Sequence, residues 1–152
     1  MSLFYLLRSD PTGHLHYGFS CVPMNRDRGD IGALRTVMRL LGENKAVLMF
    51  PEGTRSRDGQ LQEPRAGIGM IVASTGAPIV PLRIFGSDRA MPRGKWLPRP
   101  VPVRIVFGEP FTYPLPADFD GWPGDRRKEL YLEIGREIMR RIASLEPLPA
   151  RR

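Results

Sequence analysis

Apolar residues recur along the chain with changing period, and each change marks an element. In 28–44, RGDIGALRTVMRLLGEN, residues Ile31, Leu34, Val37, Met38 and Leu41 fall at helical spacing and form one apolar stripe. Asp30 stands where it can cap the first turn, and Gly42 and Asn44 stand where a helix would stop. In 46–50, AVLMF, the apolar run is unbroken and bounded by turn residues, the pattern of a strand buried on both faces. Residues 66–76, AGIGMIVASTG, fit a short, tightly packed helix whose glycines permit close backbone approach at a cost in helix propensity. PIVPLRIF (78–85) and VPVRIVFG (101–108) read as strands. Leu130, Ile134, Ile138 and Ile142, at i+4 steps, predict a last helix over about 124–145.

Upstream, GFSCVPMNR (18–26) reads as a short strand ending in polar residues, and 1–17 as a brief apolar start followed by a loop, RSDPTGH. Residues 51–65 form a loop with an Asp58-Gly59 turn. Strand, helix, strand, helix, strand is the order of βαβ units. The expected fold is therefore α/β, a mostly parallel or mixed central sheet flanked by helices. In such sheets ligands bind beyond the carboxyl ends of the strands. Two charged clusters occupy such ends: Asn25-Arg26 after the first strand, and Pro51-Glu52-Gly53-Thr54-Arg55 after the second.

Composition narrows the chemistry. The chain has 152 residues, enough for one domain with a hydrophobic core. Its net charge of +7 suits nucleic acid, anionic lipid headgroups or phosphorylated small molecules, and composition does not choose among them. The single cysteine, Cys21, rules out an intrachain disulfide and makes a reducing compartment the default. No apolar run approaches the roughly 18 residues that span a bilayer. MSLFYLLRSD lacks the basic leader and small-residue cleavage site of a signal peptide.

An arginine guanidinium is a permanent planar cation that can bond two phosphate oxygens at once. Arg26 and Arg55, at neighbouring strand ends, would make a two-arm phosphate clamp. Glu52 would hold an arginine through a carboxylate pair, or accept a hydrogen bond from a substrate hydroxyl. Gly53 lets the backbone turn sharply and approach a ligand, and Thr54 can donate its hydroxyl or cap the turn. The same residues also fit an ordinary surface ion pair between Glu52 and Arg55, contributing only about 0–1 kcal/mol.

The string Phe50-Pro51-Glu52-Gly53-Thr54-Arg55-Ser56 resembles in full the third motif of the glycerolipid acyltransferases, typified by 1-acylglycerol-3-phosphate (lysophosphatidic acid) acyltransferases. GAPIVPLRI (76–84) resembles the fourth motif, an apolar strand with Pro81 inside it. GFSCVPMNRDRGD resembles the second, ending in Arg26 but with Met24-Asn25 before it. VRIVFGEPF (103–111) is similar to a strand near the family's carboxyl end. The blocks agree in order and cover the chain from about residue 18. The resemblance implies transfer of an acyl group from acyl-CoA or acyl carrier protein to a free hydroxyl of 1-acylglycerol-3-phosphate. It implies that Arg26, Glu52, Gly53, Thr54 and Arg55 bind the acceptor's phosphate, and that Pro81 helps shape the acyl-donor side. No cofactor beyond the donor and no metal is expected.

The family's base is a histidine in a His-x-x-x-x-Asp motif, whose aspartate orients the imidazole. Here Phe19 follows His14 by five positions and Cys21 follows His16, so neither histidine completes that motif. The expectation is a chain that begins just after the catalytic block, with weak or no catalysis, in which His14 and His16 read as loop histidines, or as a substitute base with Asp10 nearby, and Cys21 as an inert strand residue, or as an acyl-accepting nucleophile. RIFGSDRAMPRGKWLPRP (83–100) mixes Arg83, Arg89, Arg93, Lys95 and Arg99 with Met91, Trp96 and Leu97. It reads either as a seat on an anionic membrane or as a solvated loop with Trp96 packed down. The alternating charges of 126–141 read as a solvated helix face. The expected setting is cytoplasmic, peripheral to the inner membrane surface. The alternative reading is a non-catalytic remnant that binds anionic lipid or phosphate. A nucleic-acid binder is disfavoured, because no helix-turn-helix, aromatic stacking platform or zinc pattern is present.

Overall fold

A computed structural model describes residue 22 and residues 30–54, 60–92 and 97–147. Arg26, Arg55, His14, His16 and Cys21 lie outside the described residues, as do Arg93, Lys95 and Trp96 of the basic stretch.

Helix α1 runs Ile31–Gly42, and the Asp30 carboxylate accepts from the Ala33 N–H at 3.0 Å, the expected cap. Helix α2 is Ala66–Thr75, closed by Gly76 in the left-handed region. Strand β1 is Leu82–Phe85, followed by the short helix α3, Ser87–Ala90. Strand β2, Arg104–Phe107, pairs with β1 antiparallel, Leu82 opposite Phe107 and Phe85 opposite Arg104. An isolated antiparallel bridge, Ile79 to Phe111, extends that pairing toward the chain start of β1. A 3-10 turn, Phe119–Gly121, leads into the long helix α4, Gly124–Ala143.

The core lies between α2 and α4. The predicted stripe of α4 is buried along its length, with Ile134 fully enclosed and Leu130, Ile138 and Ile142 beside it, packed on Val72 and Ala73 of α2. The two helices meet at Gly69, where a Cβ would collide with the backbone carbonyl of Tyr131 on α4. Leaving out the side chain is what lets the backbones touch, so the helix-propensity cost of that glycine has a packing return.

Part of the expected sheet, the strand at 18–24, lies outside the described residues apart from Val22. Among the described residues the sheet is a two-stranded antiparallel ladder, and 46–50 belongs to no ladder. Nor is that run buried on both faces: Leu48 is 63% exposed and Phe50 62%. Burial on both sides needs neighbours on both sides, and the neighbour expected from 18–24 lies outside the described residues apart from Val22. Ile105 and Phe107 of β2 are likewise exposed. In α1 the stripe is buried at Val37, but Ile31 is exposed and Ala33 takes its place in the interior.

The charged residues of α4 are more engaged than a solvated face implies. Arg127 donates to the carbonyls of Trp122 and Asp120 at 2.8 and 2.7 Å, tying the 3-10 turn to the helix. Arg141 stacks on Phe111 and pairs with Glu137, which also holds Arg140. Arg83, from the basic stretch, donates to the carbonyls of Ala143 and Leu145 and so caps α4 from β1. No helix of the described residues is long and apolar enough to cross a membrane.

Candidate functional site

The Pro51–Thr54 turn is built by three hydrogen bonds. The Gly53 N–H donates to the Phe50 carbonyl at 3.0 Å, closing the turn on itself. The Arg65 N–H donates to the Pro51 carbonyl at 2.9 Å, and the Gln62 N–H donates to Glu52 Oε2 at 3.1 Å. The last two tie the turn to the segment that enters α2. Gly53 sits at φ +65, where a side chain would be strained.

Glu52 has a backbone partner, and the arginines expected to pair with it, Arg26 and Arg55, lie outside the described residues. Its carboxylate accepts a backbone N–H, and among the described residues it forms no ion pair. Partial burial pushes its carboxyl above the ordinary value, and the hydrogen bond from Gln62 only partly offsets that shift. Glu52 thus clasps the turn to the segment before α2. The Thr54 hydroxyl has no hydrogen-bond partner among the described residues. Pro81 is buried at the foot of β1, where its carbonyl accepts from the Gly108 N–H at 2.8 Å.

One residue that sequence reasoning passed over belongs to this turn. The Arg65 side chain lies across Gly53: a Cβ built there would stand 2.8 Å from Arg65 Nε and 2.9 Å from its Cδ. Arg65 occupies the cap position of α2 without a side-chain capping bond. A cation there opposes the helix dipole, and the position favours Ser, Thr, Asp or Asn. That mismatch was the available signal. Its guanidinium has no hydrogen bond or ion pair among the described residues. Glu63, next but one, is instead 3.9 Å from Arg136. The described part of the site is therefore an open turn with one unneutralised guanidinium across its glycine. Arg26 and Arg55, the two arms expected of the clamp, are outside the described residues.

Comparison with known proteins adds to this geometry. The family described as Acyltransferase matches residues 5–85. The chain is 40% identical over 75 residues to the chloroplastic 1-acyl-sn-glycerol-3-phosphate acyltransferase BAT2 of Brassica napus, covering 48% of this chain and 22% of that protein. It is 32% identical over 120 residues to the 1-acyl-sn-glycerol-3-phosphate acyltransferase of Limnanthes douglasii, covering 78% of this chain and 41% of that one. The crystal structure of the 1-acyl-sn-glycerophosphate (LPA) acyltransferase PlsC from Thermotoga maritima superposes with a TM-score of 0.54 at 28% identity, over 78% of this chain and 47% of that one. The chain thus spans less than half the length of these relatives. That likeness extends to a mixed α/β domain. With a family match over more than half its length and a glutamate–glycine–threonine turn to carry it, the chain belongs to the glycerolipid acyltransferases of the 1-acylglycerol-3-phosphate acyltransferase type.

Proposed function

We propose that this chain is the acceptor-binding part of an acyltransferase that moves an acyl group from acyl-CoA or acyl carrier protein to the free hydroxyl of 1-acylglycerol-3-phosphate. The observation that carries the reading is the Pro51–Thr54 turn, held at both ends and opened at Gly53 to a positive φ. Arg26 and Arg55 are the cations that grip the acceptor's phosphate, Thr54 and the Gly53 backbone approach its oxygens, and Glu52 holds the turn that presents them. Pro81 and its strand shape the donor side. An anionic membrane surface supplies the lipid substrate, with the chain peripheral to it on the cytoplasmic side.

The transfer itself needs a base that takes the proton of the attacking hydroxyl as the thioester is cleaved. Neither His14 nor His16 is followed by an aspartate at the spacing of the family's base. The 152-residue chain is therefore expected to bind the acceptor with weak or no turnover. The lack of that spacing also favours a second reading, a non-catalytic binder of phosphorylated or anionic lipid.

Two measurements test these readings. Binding of a short-chain lysophosphatidate by calorimetry should weaken on Arg55→Ala by about 1.5–3 kcal/mol, the range for a hydrogen bond to a charged group. No change on that substitution removes the clamp. In an acyl-CoA assay the chain should show little or no turnover, and robust turnover abolished by His14→Ala would assign the base to that loop instead.

A further inference from the structure

We infer that Arg65 is a further ligand of the acceptor's phosphate monoester, delivered to the turn by the start of α2; this rests on the phosphate-binding reading of the Pro51–Thr54 turn. Three observations converge. The side chain lies on Gly53 at a distance that only a glycine allows, so the backbone of the turn and the cation share one surface. Its main chain is anchored beside the turn, because the Arg65 N–H donates to the Pro51 carbonyl. And no described carboxylate neutralises it: Glu52 is occupied by Gln62, and Glu63 faces Arg136.

A guanidinium held this way has a stated chemical preference. The residue is exposed, so its N–H groups are open to an anion, and its Cδ and Nε lie across Gly53. Its planar fork matches two oxygens of a phosphate group. Gly53 then has two functions, to allow the positive φ and to leave room for Arg65. A glycerol backbone or an acyl chain offers nothing that requires a cation at this place, whereas a phosphate monoester does.

The test uses the full chain and three probes: a short-chain lysophosphatidate, the matching monoacylglycerol without phosphate, and inorganic phosphate. Arg65→Met keeps an unbranched stem over Gly53 and removes the charge; Arg65→Lys keeps a charge without the fork. Thermal unfolding of each variant reports on folding. The chain should bind lysophosphatidate more tightly than monoacylglycerol, and Arg65→Met should weaken the phosphorylated lipid roughly ten- to a hundredfold, as for loss of a hydrogen bond to a charged group. Arg65→Lys should recover part of that loss, and monoacylglycerol affinity should not move. Inorganic phosphate that competes with lysophosphatidate, and loses affinity on Arg65→Met, places the contact on the phosphate itself; phosphate affinity indifferent to Arg65→Met overturns it. Unchanged lysophosphatidate affinity in Arg65→Met, alongside weakening by Arg55→Ala, overturns the role of Arg65 and leaves the clamp standing. Equal affinity of the unmodified chain for the lipid with and without phosphate overturns the clamp, and the role of Arg65 with it.

Discussion

Replacing Glu52 by alanine and by glutamine separates a loop clasp from a charged ligand. In the structure the carboxylate accepts one backbone N–H, from Gln62, across ten positions of chain. Alanine leaves that donor without its acceptor. A fully buried orphan costs about 1–3 kcal/mol, and at a half-buried site where water can enter the loss should be at the low end, about 1 kcal/mol. Glutamine retains an oxygen at the same reach and should stay within about 0.5 kcal/mol of the parent, since the acceptor is preserved. The pH dependence has a definite sign. Burial raises the folded carboxyl above its ordinary value of 4.5. A raised acid favours the fold below the unfolded value, and that advantage is lost as pH rises through the folded value. The glutamine variant should therefore gain on the parent as pH rises from 4 into the raised range, and the difference should then level off. Urea unfolding followed by circular dichroism, comparing midpoints at constant slope, measures both effects. If glutamine costs as much as alanine at neutral pH, the negative charge itself is needed and the clasp account is wrong.

Two further outcomes test the frame that holds the site. Gly69→Ala should destabilise the chain by about 2 kcal/mol or more, because the new methyl meets backbone that no rotamer change can move; Gly42→Ala, with open space around it, should be neutral or mildly stabilising in the same melts. Asp30→Ala should cost about 1 kcal/mol through loss of the α1 cap, and Asp30→Ser should recover most of it, read from urea midpoints.

What was legible in the sequence was whatever depended on local period. The α4 stripe is buried where the i+4 spacing placed it, and Asp30 caps α1 as its position implied. The strand pairing of 46–50 was less accessible, because a strand's burial depends on partners distant in sequence, and Leu48 and Phe50 are exposed among the described residues. The site divides in the same way. The Glu52–Thr54 turn could be read from its residues, since glycine at a tight turn has a local cause. That Glu52 serves Gln62 and that Arg65 crosses Gly53 could not, because both follow from where the segment entering α2 lies against the turn. Alternation with glutamates predicts solvent-facing arginines on α4, while Arg127 and Arg141 are committed to a neighbouring turn and an aromatic ring.

The absent side chain at Gly69 reaches further than the interior it serves. Helix α2 cannot roll about its axis or slide along α4 without separating two main chains already in contact, so Arg65, at its leading end, inherits its bearing from a helix five turns long on the other side of the core. Grafting the short glutamate–glycine–threonine turn alone onto another scaffold would leave Arg65 behind; a transplant that keeps its bearing carries α2 together with α4.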